Sequence, residues 1–462
     1  MMELIYKEIL DLTDEKIFTG DLTKKITGIS TDSRNIKIGN LFIPLKGEKY
    51  DGEMFLNSAI KNGASGILTR DVKSIDLFKN TEAVVIYVRD TLLALHKIAS
   101  YYRDKFDIPV IAVTGSSGKT TTKDMIAQIL TKKYNILKTQ GNFNNEIGLP
   151  LTIFQLKKEH NIAVVEMGMS GLGEIKILKG IAKPNVAVFT NIGVAHIEKL
   201  GSKENILKAK SELIEDFDDK KVIILNADDE MLMKLKGKFN SKYYDYGINN
   251  GKIRATNIRT ENNFTKYDLY INNNIKTVYL SVPGIHNVYN SLAAICTGIE
   301  FNVDIDLMID ALKDYKPEKM RLNIINTDKF VIIDDAYNAN PDSMKAAITV
   351  LKDLNAKRKV AVLGDMLELG HLSEEAHKEI GKFAAESGVD VILAFGANSK
   401  FIAEEAIKFG KHNKNIFYCS SKNEIYEILK NILKEGDLIL VKGSRGMEME
   451  DVVKFIRESA SK

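Results

Sequence analysis

Cysteine is scarce in this chain. Its two cysteines, Cys296 and Cys419, lie far apart and in no metal-ligand spacing. That excludes a disulfide framework and makes a reducing, cytoplasmic compartment the default expectation. A large charge of one sign is also missing. Lys and Arg total 65 against 62 Asp and Glu, a net charge of +3. The basic residues are scattered among acidic ones, so nucleic acid and anionic membrane are not expected partners. No uninterrupted apolar run approaches membrane-spanning length. The opening MMELIYKEILDLTDEK sets acidic residues inside its apolar stretch, unlike a secretion signal. There is no solenoid-period repeat and no low-complexity segment. The composition is that of an ordinary globular protein, 44% hydrophobic and 27% charged over 462 residues. That is enough for more than one core and, by size, for roughly three domains.

The segment up to residue 108 reads as one small α/β unit, with short apolar runs, Gly-rich turns and an amphipathic helix over Gly52 to Asn62. A helical stretch, TLLALHKIASYYRDKF, follows, and Pro109 then opens a strand. From there the pattern is strand, loop, helix, repeated. Strand Val110–Val113 leads into a loop and a helix from about Lys119, and further strands fall at Ile162–Val165, Val186–Asn191 and in KKVIILNADDE. Short Val/Ile runs between helices predict a parallel sheet covered on both faces. TKYDLYINNNIKTVYLSVPG then alternates around an Asn-rich turn, which predicts a β-hairpin. After DYKPEKMRL the strand–helix alternation resumes, giving a second, Rossmann-like α/β domain. In it Asn340 and Pro341 suit a helix cap and first turn. The expected division is 1–108, 109–318 and 319–462.

The chemistry concentrates in VIAVTGSSGKTTTKDMIAQIL. A standard phosphate loop reads G-x-x-x-x-G-K-[ST], but here the first glycine position is Val113. Gly115 and Gly118 still permit a tight turn whose N–H groups can face phosphate oxygens, and the following helix adds its positive end. Lys119 can reach the β- and γ-phosphates, and the Thr120 hydroxyl can ligate Mg²⁺. The plain alternative is an ordinary Gly-rich strand–helix turn. Glu166 closes an apolar strand at the carboxyl edge of the sheet, where a Mg²⁺–phosphate site needs an anionic oxygen. His196, in TNIGVAHIEKLGS, is a second candidate ligand, though a loop histidine is also a common surface residue. In KENILKAKSELIEDF the apolar stripe Ile206, Leu207, Leu213, Ile214, Phe217 places Lys210 in its midst. Either Lys210 reaches out to solvent, or burial lowers its pKa and makes the amine reactive toward CO₂.

These residues, in this order, resemble the Mur ligase family of ATP-dependent peptidoglycan-precursor ligases. The short T-G-S-S-G-K-T loop is that family's form. The resemblance runs over nearly the whole chain, through TDSR, GNFNNEIGLPLT, VVEMGMSGLGEI, KAKSELIE, GIHNVYNSLAAI, YNANPDSM, GDMLELG and KGSRGM. It implies a ligase joining D-alanyl-D-alanine to UDP-N-acetylmuramoyl-tripeptide through an acyl phosphate. ATP phosphates would sit on Gly115, Ser116, Ser117, Gly118, Lys119, Thr120 and Thr121. Thr120 and Glu166 would hold one Mg²⁺, and His196 with a carbamylated Lys210 would serve a second. Asn287 and Asn290 would lie near adenine, with Arg321 and Asp335 closing on phosphates and ribose. Ser30, Asp32, Ser33 and Arg34 would meet the uridine end of the substrate, and Asn144 and Asn145 its sugar-peptide part. Lys442, Ser444 and Arg445 would meet the dipeptide. A monomer in the cytoplasm is expected. One departure stands out: many members carry Gly before the arginine, where this chain has Met320.

Three other readings compete with this one. The preceding ligase of the same series usually carries a D-N-P-[RA] signature, which is missing here. Folylpolyglutamate synthase lacks the TDSR domain. A regulatory P-loop ATPase would form no amide.

Overall fold

The computed structural model describes residues 2–261, 263–410 and 413–460. It is an α/β protein built on several parallel sheets. Its backbone divides into two compact units. One comprises Met1–Ala112, Tyr134–Met169 and Gly173–Val186; the other comprises Val113–Lys133, Ser170–Leu172 and Ala187–Lys462. The strand Val110–Thr114 passes from the first to the second.

In the first unit the strands Phe18–Thr19, Val84–Tyr87, Gly66–Thr69, Asn40–Phe42 and Gly28–Ser30 lie side by side in that order. All neighbours are parallel except the Phe18–Thr19 edge. Phe42, Leu56, Ile67, Phe78 and Val85 form the core beneath them. The expected helix over 52–62 is a 3-10 turn, Gly52–Phe55, continued as α-helix Leu56–Lys61. Asp90 starts the helix Thr91–Asp104 by accepting from the Leu92 and Leu93 N–H groups. Ile136–Lys138 and Ile162–Glu166 pair in parallel.

In the second unit Val222–Asn226, Lys242–Gly247 and Ile253–Glu261 run parallel. The predicted hairpin continues the sheet in antiparallel fashion as Phe264–Ile271 and Asn274–Leu280. Its turn residues Asn272 and Asn273 both have positive φ (47° and 63°), the pair of conformations that a type I′ turn demands and asparagine tolerates.

The second sheet of this unit has the order Asn323–Asn326, Val331–Asp335, Asp437–Lys442, Arg358–Gly364, Val391–Phe395, Ile416–Cys419. Only its first pair is antiparallel. Ile332, Val360, Val362, Leu393, Ile439 and Val441 are buried beneath the helix carrying Val452 and Ile456. Asn340 caps the helix Pro341–Asp353 with Pro at its first turn, as its sequence predicts. Among the described residues no helix is long and apolar enough to cross a membrane.

Candidate active site

The strand Val110–Thr114 is buried throughout and delivers the chain into the Gly-rich turn. Gly115 has φ 151° and a Cβ there would lie 1.8 Å from Thr190 Oγ1, so no side chain fits. Gly118 has φ 77°, and a Cβ would lie 2.5 Å from Asn290 Oδ1. Gly118 begins the helix Lys119–Leu130. The turn's N–H groups do not all face one way. Those of Ser116 and Ser117 both donate to Asn191 Oδ1, at 3.1 and 2.9 Å. The strand predicted to run to Asn191 stops at Phe189, and Thr190 and Asn191 just beyond it hold this turn.

Two ammonium groups converge on one carbonyl. Lys119 Nζ donates to Gly115 O at 2.9 Å, and Lys210 Nζ to the same oxygen at 3.0 Å. Lys210 is 2% exposed, on the short helix Lys203–Ser211. Burial, and then the neighbouring charge of Lys119, hold its pKa well below that of an ordinary lysine. The sequence pattern had left solvent and burial open for this residue, and the structure buries it. Thr120 is buried in the first turn of the loop helix. Asn290 accepts from Thr122 Oγ1 at 3.1 Å and donates to Asn287 Oδ1 at 3.1 Å; Asn287 donates to Pro283 O. These two amides tie the helix Ile285–Glu300 to the loop helix.

His196 adopts φ 62°, and its Nδ1 lies 2.6 Å from Glu368 Oε2. That hydrogen bond holds the Glu368 carboxyl below its usual range. Glu368 comes from GDMLELG, in the loop after the strand Arg358–Gly364 of the C-terminal sheet, and sequence reading had assigned it no role.

At the carboxyl edge of that sheet, Lys442 is in register with Asp335 and forms an ion pair with it. It also donates to Asn338 O at 2.9 Å. Ser444 Oγ accepts from the Leu367 N–H and donates to Ala339 O, while Arg445 pairs with Glu450. Arg321 lies over the Tyr337 ring, 4.0 Å from its centre. The residues flanking it, Met320 (φ 64°) and Leu322 (φ 48°), are both left-handed. Glycine adopts that conformation without cost, which explains why it suits the position Met320 occupies. Leu322 N–H donates to Asp335 Oδ1 at 3.0 Å and Tyr337 N–H to Met320 O at 3.2 Å, which links the two pairs, although sequence reading had assigned Arg321 and Asp335 to the nucleotide, Lys442 to the dipeptide and Tyr337 to neither.

The remaining predicted residues belong to the first unit. Glu166 is buried at the end of its strand and accepts from Asn144 Nδ2 at 2.6 Å. Asn145 Oδ1 accepts from the N–H groups of Ile147 and Gly148, which is a helix-capping role. Ser30 Oγ exchanges hydrogen bonds with the Asp32 backbone, and the Arg34 guanidinium grips the Asp32 carboxylate through two bonds of 2.9 Å. That grip holds Asp32 below the usual carboxylate range. Ser33 is buried, its carbonyl accepting from Asn62.

Family models match in three segments: "Mur ligase family, catalytic domain" at 25–103, "Mur ligase middle domain" at 113–298, and "Mur ligase, glutamate ligase domain" at 320–445. The UDP-N-acetylmuramoyl-tripeptide–D-alanyl-D-alanine ligase of Bacillus subtilis (strain 168) is 40% identical over 436 residues, covering 94% of each chain. The chain belongs to the Mur ligase family. The Escherichia coli (strain K12) Mur ligase of the same name is 34% identical over the full length of both chains. Among solved Mur ligases, MurF from Acinetobacter baumannii superimposes with a TM-score of 0.89, at 31% identity and 99% coverage of each chain. MurF from Thermotoga maritima, solved in complex with ADP, matches with a TM-score of 0.83 at 30% identity, covering 94% of this chain and 98% of that one.

Proposed function

We propose that this Mur ligase joins D-alanyl-D-alanine to UDP-N-acetylmuramoyl-tripeptide, in the cytoplasm, at the expense of ATP. The observation that carries the nucleotide assignment is the crowding of Lys119 and Lys210 onto the Gly115 carbonyl. The Lys119 ammonium and the buried Lys210 amine thus crowd together beside a helix N-terminus, an environment that an anion would stabilise. The buried Ser117 Oγ, which has no hydrogen-bond partner among the described residues, points to the same vacancy in the bonding. A triphosphate supplies both the charge and the acceptor atoms.

Mg²⁺ would arrive with phosphate oxygens and water, held by Thr120 and Glu166 and, for a second ion, by His196 and a carbamylated Lys210. When bound, Mg²⁺ neutralises phosphate charge. The lowered proton affinity of Lys210 favours the neutral amine, which is the form that attacks CO₂.

The chemistry follows. A carboxylate is a poor electrophile, and its oxygen leaves badly. Transfer of the γ-phosphoryl makes an acyl phosphate, which the dipeptide amine attacks, and phosphate leaves from a tetrahedral intermediate. The chain's work is placement and charge neutralisation: Lys119 on the migrating phosphoryl, Arg321 and Asp335 on the nucleotide, and Lys442, Ser444 and Arg445 toward the dipeptide. Ser30, Asp32, Ser33, Arg34, Asn144 and Asn145 take the nucleotide-sugar peptide.

The test is purified protein with ATP, Mg²⁺, UDP-N-acetylmuramoyl-tripeptide and D-alanyl-D-alanine, with product mass recorded. The expected product is the pentapeptide together with one ADP. No pentapeptide here, with ligation only when a single amino acid and the muramoyl dipeptide are supplied instead, would refute the substrate, and ADP release with no amide would refute the ligase.

A further inference from the structure

A phosphate loop with Val113 where its first glycine should stand needs another means of holding its shape. Thr190–Gly193 provides it. Besides collecting the Ser116 and Ser117 N–H groups on its side-chain oxygen, Asn191 accepts from Ser116 N–H through its own carbonyl at 3.0 Å. Thr190 Oγ1 donates to Ser117 O at 2.6 Å, and Gly193 N–H donates to Ser116 Oγ at 2.9 Å. This splint is itself anchored. Asp229 accepts from Ile192 N–H at 2.6 Å, and Asn226 donates to Thr190 O at 3.2 Å.

We infer that Asn191 is a positioning residue for the nucleotide loop, an inference that rests on the ATP reading of that loop. Two consecutive N–H groups converging on one oxygen form the geometry that elsewhere captures an anion. Here a neutral amide oxygen fills it, so the first half of the turn is set before nucleotide arrives. The left-handed Gly118 then presents the start of the loop helix to phosphate. A carboxylate would accept the same two bonds but bring negative charge toward the phosphates. The amide shapes the loop without that repulsion, which is preorganisation in the ordinary sense.

The experiment compares wild type, Asn191→Ala and Asn191→Asp in the full chain. It uses titration calorimetry with a non-hydrolysable ATP analogue and Mg²⁺, hydrogen exchange of the nucleotide-free proteins, and Michaelis constants. Asn191→Ala should weaken nucleotide binding about 10-fold or more and speed exchange at Ser116 and Ser117. Its KM for D-alanyl-D-alanine should stay within about twofold. Asn191→Asp should keep the slow exchange yet still bind nucleotide weakly. Unchanged nucleotide affinity in Asn191→Ala, unchanged loop exchange, or a dipeptide KM that rises in step would overturn the inference. Should Asn191→Ala fail to fold, Thr190→Val, which removes the bond to Ser117 O, should weaken nucleotide binding and Thr190→Ser should restore it; equal affinities overturn the inference. If wild type itself does not bind the analogue, the ATP reading has failed rather than the role of Asn191.

Discussion

Lys210 and Lys442 are both 2% exposed, yet they are buried for opposite reasons. Lys442 ends a strand beside Asp335, its register partner, and the two form an ion pair. Lys123, on the loop helix, is likewise enclosed and likewise meets carboxylates, Asp124 at 3.3 Å and Glu318 at 3.5 Å. Lys210 meets a carbonyl and the repulsion of Lys119, and among the described residues no carboxylate lies within ion-pair distance of it. A buried lysine with its acid already has its charge compensated. A buried lysine facing another lysine is an unfinished site, stable once an anion or a chemical change completes it.

The comparison can be broken most directly through activity. Lys210→Ala should lower ligation about 10³-fold, and added short carboxylic acids should restore part of the rate if a carbamate is the working form. Full activity without them would erase the distinction between the two lysines. Next in size is Lys442→Met, which strands the Asp335 carboxylate and should cost about 3 kcal/mol of stability in urea unfolding. Adding Asp335→Asn to it should recover part of that loss.

Lys210→Met should have the opposite sign, a gain of about 1 kcal/mol at pH 7 in CO₂-free buffer. Its pH dependence follows from the depressed folded pKa. Between that pKa and the unfolded value of about 10.4, the unfolded chain carries the extra proton, so wild-type stability rises with pH. The gain from Lys210→Met should therefore shrink as pH climbs from 7 toward 10, and a gain that grows would contradict the assignment. Smallest is Met320→Gly. It relieves a left-handed residue but frees the unfolded chain and loses apolar contact with the C-terminal core, so its net effect should stay within about 1 kcal/mol. A loss of several kcal/mol would mean that packing, rather than backbone conformation, governs this link.

Much of the fold was legible because its signals are local. Short Val/Ile runs marked the strands, Asn340-Pro341 the helix start, and the Asn-rich stretch the hairpin turn at Asn272 and Asn273. The apolar stripe through Lys210 was enough to single that lysine out. The stripe did not show that the α-helix ends at Ser211 and tightens into a 3-10 turn, Glu212–Ile214. Nor did it show that the strand before TNIG stops at Phe189. Thr190, Asn191, Glu368 and Tyr337 went unread although each sits in a quoted motif. Their partners are distant in sequence, and nothing local marks a threonine or an asparagine as a brace. Asn145, read as facing substrate, also accepts from the N–H groups that open the helix Gly148–Ile153, a structural role its sequence context did not distinguish.

The amino-acid sequence alone determined the alternation of strands and helices, the two-glycine turn, and that Lys210 stands within an apolar stripe. These depend on periodicity and backbone freedom, which neighbouring residues set between themselves. Only the tertiary structure decided that Lys119 and Lys210 share one carbonyl, that Asn191 braces the turn, and that Lys442 is neutralised by Asp335. Charge compensation depends on what stands within a few ångströms, and residues far apart in the chain become neighbours only through folding.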